Sequence, residues 1–358
     1  MTIALVVGAR PNFVKIAAIV AAIRQYPDLR FRLIHTGQHY YRNMSDSLFR
    51  DLDIPEPDVN LGCGSDSPAV QTAEIMFRLA PVLEAARPDL VLVVGDVDST
   101  LAGALVAVKM GIPLAHVEAG LRSFDRTMPE EINRILTDAV ADYCFTSEPA
   151  ANDNLRREGV ADARIHHVGN VMIDTLFRFR DRAATSRIGA TLRLAPGTFA
   201  LLTLHRPSNV DAEATLSGVL AALAPIGRDV PVVFPVHPRT RPRLERVLAH
   251  AAMPWLRPVE PLPYLDFVHL MSHATAVLTD SGGVQEETTA LGVPCLTLRS
   301  TTERPITETV GTNRLTGVDP DAIRGAWEQI RQGAWPAGSS PELWDGKASD
   351  RIVRILLA

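Results

Sequence analysis

The segment 278–287 combines a Ser-Gly-Gly turn with two glutamates and is the strongest chemical signal in the chain. An apolar strand pattern ends there and a helix pattern begins, so backbone N–H groups are exposed at the positive end of a helix, where a phosphate can approach closely. Ser281 can donate its hydroxyl, and Glu287 can accept two hydrogen bonds from a vicinal diol such as a ribose. The segment predicts a nucleoside diphosphate site, against the alternative of a tight turn with solvated Glu286 and Glu287.

Two cations flank the predicted start of the first helix. Gly8 closes an apolar strand, Pro11 occupies a position typical of a first helical turn, and Arg10 and Lys15 lie nearby in sequence. Free N–H groups with two cations predict an anion site. The alternative is a pair of solvated surface cations.

Carboxylates follow the strands of the N-terminal half. Asp96 and Glu118 each come after an apolar run, and Glu130 and Glu131 open a helix after a proline. A carboxylate after a buried strand is partly desolvated, which raises its pKa and suits it to proton transfer near neutrality. In the alternative, Asp96 and Asp98 cap a helix, and the two glutamates are favourable first-turn charges.

Histidine and arginine follow the predicted strands of the C-terminal half. His205 with Arg206, and His237, come directly after two strand patterns, and Arg304 follows a third. A histidine beside a diphosphate can hydrogen-bond it or protonate a leaving oxygen. Arg304 is a further candidate cation, with a surface arginine as its alternative.

No metal or disulfide site is predicted. The pairs His35/His39 and His269/His273 have i,i+4 spacing, but the chain has neither an HExxH motif nor a third ligand at diagnostic spacing. Three cysteines, far apart and without a CxxC motif, favour buried thiols over disulfides: Cys63, Cys144 and Cys295.

The segment 254–267 contains four prolines with Trp255, Tyr264 and Phe267. This composition predicts a stiff loop with aromatic faces on which a base could stack. Packing of these aromatic side chains in the core is the alternative.

The elements that must position these groups form two sets of βαβ units, each built around a parallel sheet. Because ligands bind beyond the carboxyl ends of parallel strands, the loops described above are expected at one edge of each sheet. A boundary is expected in the Arg- and Ala-rich segment 178–197, and a short closing helix at about 349–357. Strands of the first sheet are predicted at 2–7, 31–35, 90–94, 114–117 and 143–146, and the chain is expected to begin to leave this sheet at 165–168. Strands of the second sheet are predicted at 199–204, 231–235, 276–278 and 295–298.

Chain length, apolar pattern and net charge argue against a membrane-spanning or nucleic-acid-binding protein. A chain of 358 residues is expected to form two cores, and its longest apolar run, 216–227, is too short to span a membrane. The N-terminal apolar run of five residues lacks a preceding basic region, so no signal peptide and a cytoplasmic location are predicted. A net charge of −5 provides no long-range attraction for nucleic acid.

Taken together in this order, several motifs resemble the non-hydrolysing UDP-N-acetylglucosamine 2-epimerases over about residues 3 to 317. The resemblance implies an α/β, GT-B-like fold with two Rossmann-like domains facing across a deep cleft and a C-terminal helix that crosses back to the first domain. The implied domains are 1–170 with 345–358, carrying the proton-transfer carboxylates, and 171–344, binding UDP. The motifs are Gly8-Ala9-Arg10-Pro11 with Lys15, His35-Thr36-Gly37-Gln38-His39, Gly95-Asp96, residues 116–122, residues 129–134, residues 280–287 and Thr302-Glu303-Arg304-Pro305.

The reaction implied by the resemblance inverts C2 of the sugar. UDP is eliminated in the anti sense to give a 2-acetamidoglucal, and UDP then adds back after the proton has been exchanged on the other face, without nicotinamide, metal or any other cofactor. Proton transfer is assigned to Asp96, Glu118 and Glu130, and contact with the departing diphosphate to His205. The implied substrate-binding residues are Arg10, Lys15, His237, Ser281, Gly282, Gly283, Glu287 and Arg304.

The resemblance also implies partners. A second UDP-sugar could act as an allosteric activator, with Gln38, Gln71, Arg206 and His237 as candidate contacts, and a homodimer is expected. Neither nucleic acid nor a membrane is an expected partner.

Three other functions stay open. A 2-epimerase of a UDP-2,3-diacetamido uronic acid would need an added cation, which Arg122 or Arg126 could provide, and the segment 35–46 permits this reading. A GT-B glycosyltransferase would need an acceptor site, and a silent UDP-sugar sensor would not need Asp96 and Glu118. The loop between Arg122 and Pro129 is shorter than in the best-described bacterial form, and Leu262 replaces a glutamine of that form.

Overall fold

A computed structural model describes residues 1–38, 48–64 and 67–358. The chain divides into two compact units, one formed by Met1–Arg178 with Glu342–Ala358 and the other by Phe179–Pro341. His39 and the stretch 43–46 of the predicted motifs lie outside the described residues. The assignment of separate roles to two domains stays a prediction.

The first unit is built on a parallel sheet of seven strands in the order β3-β2-β1-β4-β5-β6-β7. The C-terminal helix α16, Ala348–Leu357, belongs to this unit, and a 3-10 turn at Asp162–Arg164 precedes the last strand. The other elements are β1 Thr2–Val7, α1 Arg10–Ile23, β2 Arg30–His35, β3 Val59–Asn60, α2 Pro68–Ala86, β4 Leu90–Val94, α3 Asp98–Lys109, β5 Leu114–Val117, α4 Pro129–Val140, β6 Tyr143–Thr146, α5 Pro149–Arg157, β7 Ile165–His167 and α6 Val171–Ala184, within which the unit boundary falls.

The second unit has a parallel sheet of six strands in the order β10-β9-β8-β11-β12-β13. Its elements are α7 Ile188–Thr191, β8 Ala200–Thr203, α8 Pro207–Val210, α9 Glu213–Ala222, α10 Ala224–Gly227, β9 Val232–Pro235, α11 Arg241–His250, β10 Leu256–Val259, α12 Tyr264–His273, β11 Ala276–Thr279, α13 Gly282–Leu291, β12 Cys295–Thr297, α14 Ile306–Thr309, β13 Asn313–Leu315 and α15 Pro320–Arg331.

The strand order reverses at one point in each sheet. In the first sheet this point lies between β1 and β4, and in the second between β8 and β11. Loops that leave neighbouring strands at such a point diverge and open a crevice in which ligands bind. The predicted loops at Arg10, Asp96, His205 and Ser281 are the ones that leave these four strands.

The central strands are buried on both faces. All five side chains of β4, Leu-Val-Leu-Val-Val, are buried, as are those of β5, because helices cover both sides of a parallel sheet. The two-sheet α/β fold with Rossmann-like order confirms the predicted fold class.

The structure corrects several predicted elements. Residues 165–167 form the seventh strand of the first sheet rather than an exit from it. The segment 254–267 is not a loop, because it contains β10 and the start of α12, and Trp255 packs against the second core. Strands β3, β10 and β13 were not predicted, since they are short and have exposed or half-buried positions that break the apolar pattern.

The C-terminal segment is fixed to the first unit, as predicted. Helix α16 packs against α1, and its N-terminal amides at Ala348 and Ser349 donate to the Asp174 carboxylate at 3.1 and 2.6 Å. The indole N–H of Trp344 donates to the Ser147 carbonyl at 2.9 Å. Leu343 lies against Gly169, whose φ is +91°.

The three cysteines are buried and free, as predicted: Cys63, Cys144 and Cys295. Burial raises the pKa of Cys144 and of Cys295 to about 12. None of the helices in the described part of the chain is long and apolar enough to cross a membrane.

Replacing Gly169 by alanine should destabilise the protein more than the same change at Gly159. Both glycines have positive φ, but a Cβ at Gly169 would lie 2.1 Å from the Leu343 carbonyl oxygen, whereas a Cβ at Gly159 would meet no atom within 4 Å. We expect Gly159→Ala to cost about 1–2 kcal/mol from backbone strain alone. Urea unfolding should show a larger loss for Gly169→Ala, and equal losses would contradict the close packing of Leu343.

Candidate active site

The carboxyl end of β4 carries Gly95 and Asp96 beside a buried lysine. Gly95 has φ of +69°, and a Cβ there would lie 2.7 Å from the Lys15 ammonium nitrogen. Glycine therefore both allows the turn and leaves room for the cation. Asn12 fixes the neighbouring strand end, because its side chain accepts from the Gly8 and Ala9 amides and donates to the Val94 carbonyl.

Lys15 forms an ion pair with Glu118 after the next strand. The Lys15 Nζ and Glu118 Oε2 atoms are 2.5 Å apart, and both side chains are buried. Glu118 has φ of +73°, a conformation that costs a non-glycine residue energy and that is concentrated at functional sites. The amides of Glu118 and Ala119 both donate to the Phe145 carbonyl at 3.0 Å, which holds this turn.

Asp96 is paired with an arginine that the sequence did not single out. Arg134 on α4 lies 2.5 Å from the Asp96 carboxylate and 2.5 Å from that of Glu131. Asp96 keeps 21% of its side chain exposed, and Asn133 donates to its carbonyl. Because the N-cap of α3 is Val97, the alternative that Asp96 caps this helix is wrong.

The glutamates of the α4 first turn differ in environment. Glu131 is buried and accepts from the Ser123 and Phe124 amides and from Arg134, so it fixes the loop before α4. Burial acts to raise the pKa of Glu131, but the Ser123 amide and Arg134 outweigh burial and lower it. Glu130, the predicted proton-transfer residue, is half-buried.

Arg10, Gln38 and Gln71 are the remaining predicted residues of the first unit. Arg10 is the first residue of α1 and is half-buried. The Gln38 side-chain oxygen accepts from the Ser99 amide and hydroxyl at 3.1 and 2.7 Å, and its amide nitrogen donates to Asp98, so Gln38 caps the start of α3. Gln71 is buried on α2.

In the second unit, the Ser-Gly-Gly turn leads into α13 as predicted. Ser281 is the N-cap residue, and its hydroxyl makes no hydrogen bond within residues 1–38, 48–64 and 67–358. A Cβ at Gly282 would lie 2.3 Å from the Arg304 guanidinium, so only glycine lets this cation lie across the helix start. Gly283 is half-buried.

Arg304 belongs to a buried ionic cluster. Its guanidinium lies 2.8 Å from Glu286 and 2.6 Å from Glu303. Glu303 also contacts Arg299 at 2.8 Å and Arg206 at 3.6 Å. Three arginines and two glutamates leave one positive charge beside the N-terminus of α13, where an anion is favoured. The alternative of a surface Arg304 is therefore wrong.

Glu287 is also buried, so the alternative of solvated Glu286 and Glu287 is wrong. The Tyr264 hydroxyl donates to one Glu287 oxygen at 2.8 Å, which orients the carboxylate. Tyr264 opens α12 and is buried, so this ring is not the stacking surface that the aromatic segment predicts.

His205 is half-exposed and held by a buried aspartate. The His205 Nδ1 and Asp280 Oδ1 atoms are 2.8 Å apart, and Asp280 also accepts from the His205 and Arg206 amides and from Asn209. Burial acts to raise the pKa of Asp280, but His205 and the other donors hold it below its usual range. An ionised Asp280 directs a proton to Nδ1 of His205. His237 is half-buried, and its Nδ1 accepts from the Arg239 amide.

The structure thus brings Lys15, Asp96 and Glu118 together at one sheet edge and Ser281, Gly282 and Arg304 together at the other. Arg134 and Glu303 were not predicted as individual contributors, and Tyr264 was predicted to stack on a base rather than to orient Glu287. The signal for the first two in the sequence is proximity to predicted residues, since Arg134 follows Glu130 by one helical turn and Glu303 precedes Arg304. Within the described ranges, no group of three or more His, Cys, Asp or Glu side chains could hold a metal ion.

A family model described as UDP-N-acetylglucosamine 2-epimerase matches residues 21–357. The chain belongs to this family. A Methanocaldococcus jannaschii protein named UDP-N-acetylglucosamine 2-epimerase is 40% identical over 368 residues, which cover 99% of each chain. A Pseudomonas aeruginosa protein named UDP-2,3-diacetamido-2,3-dideoxy-D-glucuronate 2-epimerase is 43% identical over 326 residues, which cover 90% of each chain.

Solved structures of 2-epimerases share the fold. The crystal structure of the M. jannaschii UDP-GlcNAc 2-epimerase in complex with UDP-GlcNAc and UDP has a TM-score of 0.93 and 39% identity, covering 100% of this chain and 99% of that one. The Neisseria meningitidis UDP-GlcNAc 2-epimerase bound to UDP-GlcNAc has a TM-score of 0.91 and 30% identity, covering both chains completely. The predicted family and GT-B-like architecture are confirmed.

Replacing Glu131 by glutamine should destabilise the protein at neutral pH, whereas Glu84→Gln, the same change at an exposed position on α2, should not. We expect a loss of about 1–3 kcal/mol for Glu131→Gln, because the change removes a charge partner from buried Arg134. Since the folded-state pKa of Glu131 is lowered, its stabilisation is present above the ordinary glutamate pKa of about 4.3 and is lost as pH falls through the folded value. Urea unfolding at neutral and acid pH should show the deficit shrinking on acidification, and a deficit that is constant with pH would contradict this assignment.

Proposed function

We propose that this protein interconverts UDP-N-acetylglucosamine and UDP-N-acetylmannosamine by inverting C2 of the sugar. The observation that carries the proposal is the pair of carboxylates at neighbouring strand ends, Asp96 and Glu118, each held by a buried cation. Membership of the 2-epimerase family supports the reaction class.

The carboxylates of the first unit act on the sugar. The C2 hydrogen is not intrinsically acidic, so a base must remove it while UDP departs. The C2–H electron pair becomes the C1=C2 bond of a 2-acetamidoglucal, and the C1–O bond breaks with its electrons on UDP. A carboxylic acid then protonates C2 on the opposite face as UDP adds back to C1. Asp96, Glu118 and Glu130 are the proposed proton-transfer residues.

The groups of the second unit hold UDP. The α13 N-terminus with Ser281, Gly282 and Gly283 supplies donors for the diphosphate, and the Glu287 carboxylate, oriented by Tyr264, accepts from the ribose. Arg304 adds positive charge as the diphosphate leaves. His205, held through Asp280, donates to the departing oxygen. Arg10, Lys15 and His237 complete the proposed substrate contacts.

A second candidate substrate is a UDP-2,3-diacetamido uronic acid, because the P. aeruginosa relative with this printed specificity is 43% identical. The added carboxylate needs a cation. Arg122 cannot supply it, because it is buried and paired with Asp138 at 2.7 Å and Glu158 at 2.5 Å. Arg126 is exposed and is the remaining predicted cation for this substrate.

Proton NMR in deuterated buffer tests the reaction directly. The protein should convert UDP-N-acetylglucosamine to the manno epimer and place deuterium at C2, with no metal or nicotinamide added. Turnover of the diacetamido uronic acid substrate alone would favour the second candidate. Lasting release of free UDP would indicate a hydrolase, and bound UDP without turnover would indicate a sensor or a transferase that lacks its acceptor.

Asp96→Asn and Glu118→Gln should each reduce kcat by about 10²–10⁴-fold, the usual contribution of a positioned acid or base. Calorimetry should show that both variants still bind UDP, because the proposed UDP contacts lie on the second unit. Glu84→Gln, an equal charge change at an exposed position on α2, serves as the control. Full turnover by either Asp96→Asn or Glu118→Gln would refute its catalytic assignment.

A second UDP-sugar as activator is a further part of the proposal, with Gln38, Gln71 and Arg206 as its contacts. Gln38 would have to release Asp98 and Ser99 to bind it. The buried thiols suit a reducing compartment, so we retain the cytoplasm as the proposed location.

The proposed assembly is a homodimer formed through α2. Phe77 and Val70, seven residues apart on one face of this helix, are 82% and 58% exposed, and we propose that a second copy of the chain covers them. Light scattering should give a dimer mass for the wild type and a monomer mass for Phe77→Glu. Val318→Glu, at a 44% exposed position in the second unit, should remain dimeric. A dimer that survives Phe77→Glu would place the interface elsewhere.

A further inference from the structure

His116 lies at the centre of the first sheet with its side chain completely buried. It belongs to β5, between Val93 of β4 and Cys144 of β6. Its Nδ1 atom is 2.6 Å from Asp138 Oδ1, and its Nε2 atom is 2.7 Å from the Gly95 carbonyl oxygen. Both ring nitrogens therefore make short hydrogen bonds.

Both partner atoms are acceptors. The Gly95 carbonyl has no hydrogen to donate, and a neutral imidazole can donate from only one of its two nitrogens. Asp138 is a carboxylate, because its other oxygen accepts from the Gly120 amide at 3.0 Å and lies 2.7 Å from Arg122. Burial acts to raise the pKa of Asp138, but His116 and Arg122 outweigh it and hold the pKa below its usual range.

Charged groups face this region from the elements packed around β5. Asp138 and the partly exposed Glu158 are anions, and Arg122 is a cation paired with both. Arg164 is a second cation, and it donates to backbone carbonyls at the end of α4. The Cys144 thiol is neutral, since burial raises its pKa to about 12. Asp138 is the charged group in direct contact with the ring, at 2.6 Å, so its negative charge favours the imidazolium over the neutral ring.

We infer that His116 is an imidazolium that donates from both ring nitrogens, and that its two hydrogen bonds hold the turns that carry Asp96 and Glu118. Nε2 fixes the carbonyl of Gly95, the residue before Asp96, and Nδ1 fixes the carboxylate that holds the Gly120 amide, two residues after Glu118. Gly95, Glu118 and Gly120 have φ of +69°, +73° and +80°, so both turns adopt conformations that need such support. His116 is a positioning residue, since it acts through these backbones.

Nitrogen NMR of protein with ¹⁵N-labelled histidine tests the charge state without any assumption about the reaction. At about pH 8.5, well above the ordinary histidine pKa of about 6.5, one imidazolium with protons on both ring nitrogens should persist among the ten histidines. Its signals should disappear in His116→Gln and remain in His250→Gln, an exposed control on α11. Absence of any imidazolium in the wild type would overturn the inference.

His205 also lies against a carboxylate, so the His205→Gln spectrum must still contain the imidazolium. This variant keeps the test decisive if His116→Gln does not fold. Loss of the last imidazolium in His205→Gln would overturn the assignment to His116.

The positioning role rests on the proposed epimerase reaction and has its own kinetic readout. His116→Gln should lower kcat about 10–100-fold, because small displacements of reacting groups are costly. Its KM should stay within about twofold, and calorimetry should give unchanged UDP affinity, whereas His250→Gln should match the wild type. Unchanged kcat in His116→Gln would refute the positioning role. A wild-type protein without epimerase activity would instead refute the proposed function, and the NMR result would still decide the charge state.

Discussion

The ion pairing of carboxylates at the ends of buried strands is the constraint on which the rest of this molecule depends. A lone carboxylate is costly to bury at such a position, so these three acids come with a cation: Lys15 beside Glu118, and Arg134 beside Asp96 and Glu131. The cations come from α1 and α4, helices that the chain must pack onto the sheet before the pairs can form. The fold and the proposed chemistry are therefore linked, because the same contacts that permit burial hold the acids in place.

Backbone conformation supports the same arrangement. The turns after β4 and β5 use positive φ at Gly95, Glu118 and Gly120. Glycine adopts this conformation freely, but Glu118 does so at a cost that surrounding hydrogen bonds must offset. Those bonds come from the Phe145 carbonyl and from the network of His116 and Asp138. Strain, burial and charge thus converge on Asp96 and Glu118, two of the three carboxylates proposed for proton transfer.

The second unit also contains buried ion pairs, but there they leave a net positive charge at the sheet edge. Its sheet edge collects cations, and Glu303 keeps three arginines together while leaving a positive charge at the start of α13. Gly282 matters for its lack of a side chain, since the Arg304 guanidinium occupies the space that a Cβ would need. A helix N-terminus, a serine hydroxyl without a hydrogen bond in the described part of the chain, and a net positive charge support the proposed diphosphate site.

The sequence by itself determined the two parallel sheets, the order of their main elements and the 2-epimerase family, and it indicated the loops proposed to carry function. These are local or cumulative signals: strand and helix periodicity, the Ser-Gly-Gly turn, and acids placed directly after apolar runs. Only the tertiary structure decided how the charged residues pair. Arg122 and Arg134 lie in neighbouring parts of the sequence, yet one is confined between Asp138 and Glu158 and the other supports Asp96. Likewise, Gln38 caps α3 and His116 joins two turns through contacts between residues 18 to 61 positions apart. Such pairings depend on which helices meet at the reversal of strand order, and a one-dimensional pattern does not record that.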